Sequence, residues 1–303
     1  MQNLKEKFMD KSKLNPNFQN LDVDYLYHLG LDSSMNLKGE FGDVKYVVLT
    51  RSFSNADFFA NQFTSAYYGL KGVSINCKTI AKDERYHIYK VGNTIIISHG
   101  VGFPSMLICL NEIVKLMWHA GVEDYKFIRF SPGGGLNIPE NSVVVANHAI
   151  NQQLKPEWSN IEFGEYYTYP TILDDKLSQD LIAANPDASI TQGKILASSS
   201  FYNGQARING ALAVNYTKQQ AHDYLAKAYA AGARGIDMES SCFAAFCSEM
   251  NIPGCIVLAA VSDRLKGNDN EPSLRVDNDK LSPVLIAAGQ IIVNYILNNT
   301  KRD

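Results

Sequence analysis

The sequence predicts an α/β fold, a single domain around a largely buried sheet, and three observations carry that prediction. Short β-branched runs alternate with amphipathic stretches along the chain, the alternation expected when helices cover a sheet. No linker, internal repeat or low-complexity run interrupts the chain after about residue 40. The 303 residues, 46% of them hydrophobic, suffice for one large core.

Taken in order, strands are expected at residues 45–50 (KYVVLT), 86–91 (YHIYKV), 93–99 (NTIIISH) and 125–130 (YKFIRF). Further strands are expected at 142–148 (SVVVANH), 189–198 (SITQGKILAS), 235–238 (GIDM) and 254–262 (GCIVLAAVS). These runs are rich in Val, Ile and aromatic residues, which suit a pleated, packed surface. Helical periodicity marks residues 104–121, closed by Gly121 as a C-cap, and recurs at 217–233 and 283–299. Residues 1–24 read as a polar N-terminal arm ahead of a domain spanning 25–303.

A net charge of −3, a pI near 6.1 and no basic cluster argue against nucleic acid or an acidic membrane surface as partner. A small-molecule ligand fits better. The N-terminus lacks the apolar core of a signal peptide, and no window has the length and apolarity of a membrane span. The five cysteines are odd in number and mostly apolar in surroundings, as expected of reduced thiols in a cytoplasmic protein. The six histidines never adopt a ligand spacing, so no metal is expected.

Open α/β sheets place ligands at strand carboxyl ends, and GVGFPS, SPGGG and MESS all follow strands. In FIRFSPGGG, Arg129 precedes Gly133, Gly134 and Gly135, a run whose backbone N–H groups can converge on an anion. It is neither a Walker loop nor GxGxxG. Arg85 opens a hairpin strand and by itself reads as a surface arginine. In SHGVGFPS, Pro104 suits the first turn of a helix, and His99 reads equally as a structural or a catalytic residue. Glu239 sits at a strand-to-helix junction. It is either a charge favoured by the helix dipole or an acceptor for two vicinal hydroxyls, with Met238 as an apolar floor for the sugar.

The segment FYNGQARINGA places Gln205 and Arg207 two residues apart, on one side of an extended segment. Alone it reads as a solvated polar turn. With its neighbours it offers an amide and a guanidinium matched to the carbonyl, N–H, carbonyl edge of uracil. Cytosine would oppose a donor to Arg207, at about 1–3 kcal/mol if left dry. An anion site, a diol acceptor and a uracil-reading edge together suggest a nucleoside and phosphate.

The motifs YLYHLGL, FGDVKYV, DERYHIYKVG, SHGVGFPS, the arginine-then-glycine run, FYNGQARINGA, YAAGARGIDMESS and DRL follow one another in order. With them, the chain resembles the nucleoside phosphorylase family, in its animal uridine phosphorylase branch, from residue 25 to residue 297. The resemblance implies a twisted mixed β-sheet flanked by helices and reversible phosphorolysis of uridine to uracil and ribose 1-phosphate. It implies a homodimer with shared active sites and no cofactor beyond inorganic phosphate as co-substrate. It assigns uracil to Gln205, Arg207, Phe201 and Arg264, and ribose to Met238, Glu239 and His28, the last lent across the dimer. It assigns phosphate to Arg85, Arg129 and Gly133. Arg85, Arg129 and Arg207 would carry catalysis.

The family pattern breaks in three places. Its Gly-x-Pro-x-Arg loop becomes TRSFSN, with Thr50 or Arg51 at the glycine, Phe53 at the proline and Asn55 at the arginine. Arg51 has the right chemistry, but four residues separate it from position 55, so it is not taken as the substitute. Pro132 replaces a threonine and removes a hydroxyl and a backbone donor. Asp263 stands where a neutral residue is usual, and a pairing with Arg264 accounts for it most simply. A catalytically impaired uridine- or uracil-binding relative and a nucleosidase using water remain as alternatives.

Overall fold

The computed structural model describes residues 9–81, 85–139, 142–266 and 283–300. The chain opens with a helical turn at Lys11–Lys13, helix α1 (Pro16–Gln19), a small ladder of β1 (Tyr25–Leu26) with β2 (Leu31–Asp32), and α2 (Leu37–Phe41). There follow β3 (Tyr46–Thr50), α3 (Phe53–Tyr67), β4 (Ile88–Val91), β5 (Thr94–Ser98), α4 (Phe103–Ala120) and β6 (Lys126–Gly135). The middle of the chain holds β7 (Val143–Ala146), β8 (Ala149–Ile150), β9 (Glu157–Glu162), β10 (Glu165–Pro170) and α5 (Asp175–Ala183). The remainder comprises β11 (Ile190–Gln192), β12 (Lys194–Ala197), α6 (Lys218–Ala230), β13 (Ala233–Asp237), α7 (Ser240–Met250), β14 (Gly254–Asp263) and α8 (Pro283–Thr300).

The main sheet has ten strands and is mixed. Strand β6 is its hinge: its first half runs parallel to β3, its second half antiparallel to β13, and β14 pairs with it in parallel along nearly its whole length. Helices α2, α4 and α7 cover one face, where Phe41, Leu110, Ile113 and Phe243 join the core. Helices α3, α5 and α8 cover the other, with Phe59, Leu181 and Ile292. Leu225 and Ala228 of α6 close a third cluster over Ile236 and Leu196.

Two expected boundaries change. The segment 189–198 is two strands, β11 against β7 and β12 against β13, divided at Gly193. A Cβ there would lie 2.3 Å from the Arg234 side chain, so the chain crosses between ladders where only glycine fits. The strand expected to end at residue 130 instead carries the glycine run and continues as β6 to Gly135. Pro132 is tolerated in that strand because it falls between the last β3 pair, at Phe130, and the first β13 pair, at Gly134. On that edge no ladder calls for its N–H.

The helices α3 and α5 and the β9–β10 hairpin were not anticipated. The hairpin turns through Phe163 (φ 51) and Gly164 (φ 85), and phenylalanine is not a residue that announces such a turn. Among the described residues no helix is long and apolar enough to cross a membrane, and no group of three or more His, Cys, Asp or Glu could hold a metal ion.

Candidate active site

Arg129 lies beside Leu49 of β3 and Ile256 of β14, in the middle of the sheet, and is completely buried. Its Nη1 donates to Asp237 Oδ2 at 2.5 Å and to Ser240 Oγ at 3.2 Å. Its Nη2 donates to Glu239 Oε2 at 2.7 Å and to Ser131 Oγ at 3.3 Å. Burial alone would depress the guanidinium pKa, but Asp237 and then Glu239 outweigh it and raise the pKa instead. A buried cation is stable only when paired in this way.

Asp237, which sequence reasoning passed over, ends β13 and does two jobs. Besides receiving Arg129, it accepts from the Ser240 N–H at 3.1 Å and the Ser240 hydroxyl at 2.6 Å, which holds the start of α7. The signal was present as an aspartate two residues ahead of Glu239 at the strand-to-helix junction.

Glu239, expected as the first helical residue, is instead the N-cap of α7, which begins at Ser240. It is 2% exposed, and its Oε1 accepts from the Gly102 N–H at 2.7 Å. Gly102, at φ 86, adopts a conformation that lets the backbone meet the carboxylate where α4 begins. Burial pushes the Glu239 carboxyl above the ordinary range, against the pull of Arg129. An ionised carboxylate has about four acceptor sites, so capacity for hydroxyl donors remains. Half-buried Met238 lies between the two acids.

The base-reading segment is not extended. Asn203–Gln205 form a 3₁₀ turn and Ala206 takes a left-handed conformation at φ 56, so Gln205 and Arg207 sit on a turn and not on an alternating strand. The segment is pinned from several sides: Tyr216 Oη donates to the Arg207 carbonyl at 2.6 Å, Gln152 Nε2 to the Gly204 carbonyl at 3.2 Å, and the Gly204 N–H to Ser200 Oγ at 2.9 Å. Gln205 and Arg207 are each 5% exposed. The Arg207 guanidinium lies 4.3 Å from the centroid of the Phe201 ring, a cation–π contact.

Arg264 completes this group. Its Nη2 donates to the Gln205 carbonyl at 2.9 Å, and its Nη1 reaches Gln205 Oε1 at 3.5 Å. It crosses Gly134 so closely that a Cβ there would stand 2.8 Å from its Cγ. The Asp263–Arg264 pairing expected from sequence is replaced by different partners. Asp263 Oδ1 accepts from the Asn137 and Leu265 N–H groups at 2.9 and 3.0 Å, which holds the turn.

The glycine run is first a packing device. A Cβ at Gly133 would lie 2.9 Å from the Ile236 carbonyl, and one at Gly135 would lie 3.0 Å from the Ser262 carbonyl. Ser131, beside Pro132, uses its hydroxyl as an acceptor for Arg129 and a donor to the Pro132 carbonyl at 3.0 Å.

Asn55 is taken up by helix capping. Ser52, the N-cap of α3, accepts from the Asn55 N–H at 3.3 Å and donates to Asn55 Oδ1 at 2.9 Å. Phe53 stacks on His87 with centroids 4.1 Å apart.

Arg85 and His28 each neighbour Tyr86, the first along the chain and the second in space. Arg85 is exposed and adjoins Tyr86, whose ring is 5.9 Å from that of His28. The His28 Nδ1 pairs with Glu112 Oε1 at 2.6 Å, and Glu112 Oε2 accepts from the N–H groups of His28 and Leu29 at 2.9 and 3.0 Å.

A family model described as the phosphorylase superfamily matches residues 45–297. Uridine phosphorylase 1 of Mus musculus is 36% identical over 259 residues, which cover 84% of this chain and 83% of that protein. The inactive uridine phosphorylase B of Schistosoma mansoni is 28% identical, over 94% of this chain and 96% of its own. The crystal structure of uridine phosphorylase from Schistosoma mansoni in complex with uracil superposes with a TM-score of 0.84 at 27% identity, covering 95% of this chain and 99% of that one.

Proposed function

The chain belongs to the phosphorylase superfamily, with uridine phosphorylases among its relatives, and from that premise we propose that it catalyses the reversible phosphorolysis of uridine to uracil and ribose 1-phosphate with an altered phosphate subsite. The observation that carries this reading is the buried Gln205 amide in contact with Arg264, with buried Arg207 two residues on in the same turn. That set of donors, with one amide acceptor, complements the uracil edge and opposes cytosine. Phe201, under Arg207, offers a ring against the base.

In the reaction a phosphate oxygen bonds to the anomeric carbon as the carbon–nitrogen bond breaks. The bonding pair leaves with uracil, which then takes up a proton. Negative charge therefore grows on the base beside Arg207, and donors already in place there lower the barrier. Glu239 and Met238 hold the ribose, and Arg129 and the backbone near Gly133 face the phosphate. Arg85 is exposed next to Tyr86 and half-buried His28 lies against the Tyr86 ring, and in a homodimer His28 is the residue lent to the second copy's site. Inorganic phosphate is the only co-substrate this scheme requires, and the reaction is assigned to the cytoplasm.

The lost contacts at Asn55 and Pro132, with an inactive relative of similar length, favour one second reading: a uridine-binding protein without efficient phosphorolysis. Uracil release from uridine, followed against phosphate concentration, separates the readings. Release that rises with phosphate and yields ribose 1-phosphate is expected. Release that ignores phosphate and yields free ribose, or uridine binding with no release at high phosphate, would overturn the proposal. In the same assay Arg207→Ala should abolish both release and uracil-induced thermal stabilisation, which for wild type at about 100 Kd is roughly 2.7 kcal/mol.

A further inference from the structure

Arg129 is poorly placed to hold an anion alone. Both terminal nitrogens are engaged by Asp237, Ser240, Glu239 and Ser131, and among its polar atoms only Nε lacks a hydrogen-bond partner. Together with Asp237 and Glu239 it sums to one negative charge, which repels phosphate. A further cation must face the same space.

Arg51 is there. It follows Thr50, the last residue of β3, which pairs with Phe130 of β6, and the His99 N–H at the end of β5 donates to the Thr50 carbonyl at 2.7 Å. These are the carboxyl ends of the parallel strands β3 and β5, beside the middle of β6, and such sheets bind ligands at strand carboxyl ends. Arg51 is half-buried, and among the described residues no hydrogen bond or ion pair engages its guanidinium. The charges of Arg51 and Arg129 both act on Glu239 and His99, and the hydrogen bond from the His99 N–H to the Thr50 carbonyl sets the residue before Arg51 directly beside His99. A desolvated cation without a bonded counter-ion is costly unless an anion joins it.

His99 is the second sign of a missing ligand. It is fully buried, yet neither ring nitrogen makes a well-formed hydrogen bond. Buried polar groups are normally satisfied, and an unsatisfied one calls for a partner.

We propose that Arg51, beside Arg129 and His99, is a ligand of the tetrahedral oxyanion, the own-chain cation that replaces the arginine absent at position 55. The inference rests on the phosphorolysis reading above and deepens it by naming the residue that rebuilds its phosphate subsite. The side chain enters from the strand end rather than from the first turn of α3, so four residues of displacement in sequence become one shared space in the fold.

The test compares Arg51→Met and Arg51→Lys with wild type, each first shown to melt cooperatively. Arg51→Met should raise the phosphate concentration for half-maximal uracil release about 10- to 100-fold, the worth of one charged hydrogen bond. Uracil-induced stabilisation should stay unchanged, and Arg51→Lys should recover part of the loss. An unchanged or lower phosphate requirement in Arg51→Met would overturn the assignment. If wild type releases no uracil, phosphorolysis fails on its own and phosphate-induced thermal stabilisation decides for Arg51. A shift in wild type that is lost in Arg51→Met upholds it, and equal shifts or none at all refute it.

Discussion

The two ends of the candidate site are built on opposite plans. At the base end, Gln205, Arg207 and Arg264 are buried, yet each is tied to backbone or to an aromatic face, and turns and hydrogen bonds hold the segment around them. At the phosphate end, Arg129 is saturated by acids, Arg51 has no bonded anion among the described residues, and His99 keeps both ring nitrogens unsatisfied. Preorganised donors suit a neutral, planar ligand whose edge they match. A multiply charged ligand instead needs charge that is not already neutralised.

The contrast can be broken at its strongest point first. Arg129→Met leaves Asp237 and Glu239 as adjacent buried carboxylates, and removing one partner of a buried charge pair costs about 3–5 kcal/mol. Urea denaturation at neutral pH measures it. A loss that stays large after Asp237→Asn and Glu239→Gln are added would show that packing, not charge, makes Arg129 necessary.

A smaller effect should sharpen the comparison from the base side. Arg264→Met removes a charged donor from Gln205 and should weaken uracil by about 1.5–3 kcal/mol. The phosphate requirement should not move. Titration calorimetry with uracil, set beside phosphate-dependent release, reads both, and a parallel loss would mean that the two ends are not independent.

The smallest effect concerns His99. Burial, reinforced by Arg129 and Arg51, holds its pKa well below the ordinary value of 6.5. The unfolded chain therefore binds the proton first as the pH falls. Stability from this residue is complete above pH 6.5 and declines below it, by at most about 1.4 kcal/mol per pH unit. His99→Gln should flatten the decline in a series of thermal melts, and identical slopes would place the pH dependence elsewhere. Added phosphate, by placing an anion near His99, should reduce the wild-type slope.

Much of the fold was legible because its strands carry their own signal. Residues 46–49 and 254–259 are apolar and buried, as a strand covered on both faces must be. Gly121 ends α4 in the left-handed conformation that glycine announces. The β9–β10 hairpin was not legible, because its exposed side chains lack a buried face to impose alternation and its turn uses Phe163. The full length of β6 was not legible because three glycines look alike in a turn and in a strand crowded by Ile236, Leu258 and Arg264.

Local chemistry by itself determined which residue types this chain offers: an amide and guanidinium near one another at 205 and 207, a carboxylate at a strand end, arginines ahead of and after strands. Such properties depend on residues a few positions apart, and the sequence states them directly. Only the tertiary structure decided which charges remain available. Whether Arg129 is already spent on Asp237 and Glu239, and whether Arg51 shares its space, depends on contacts between strands far apart in the chain. Electrostatic neutralisation follows distance in space and burial, and neither can be counted along a sequence.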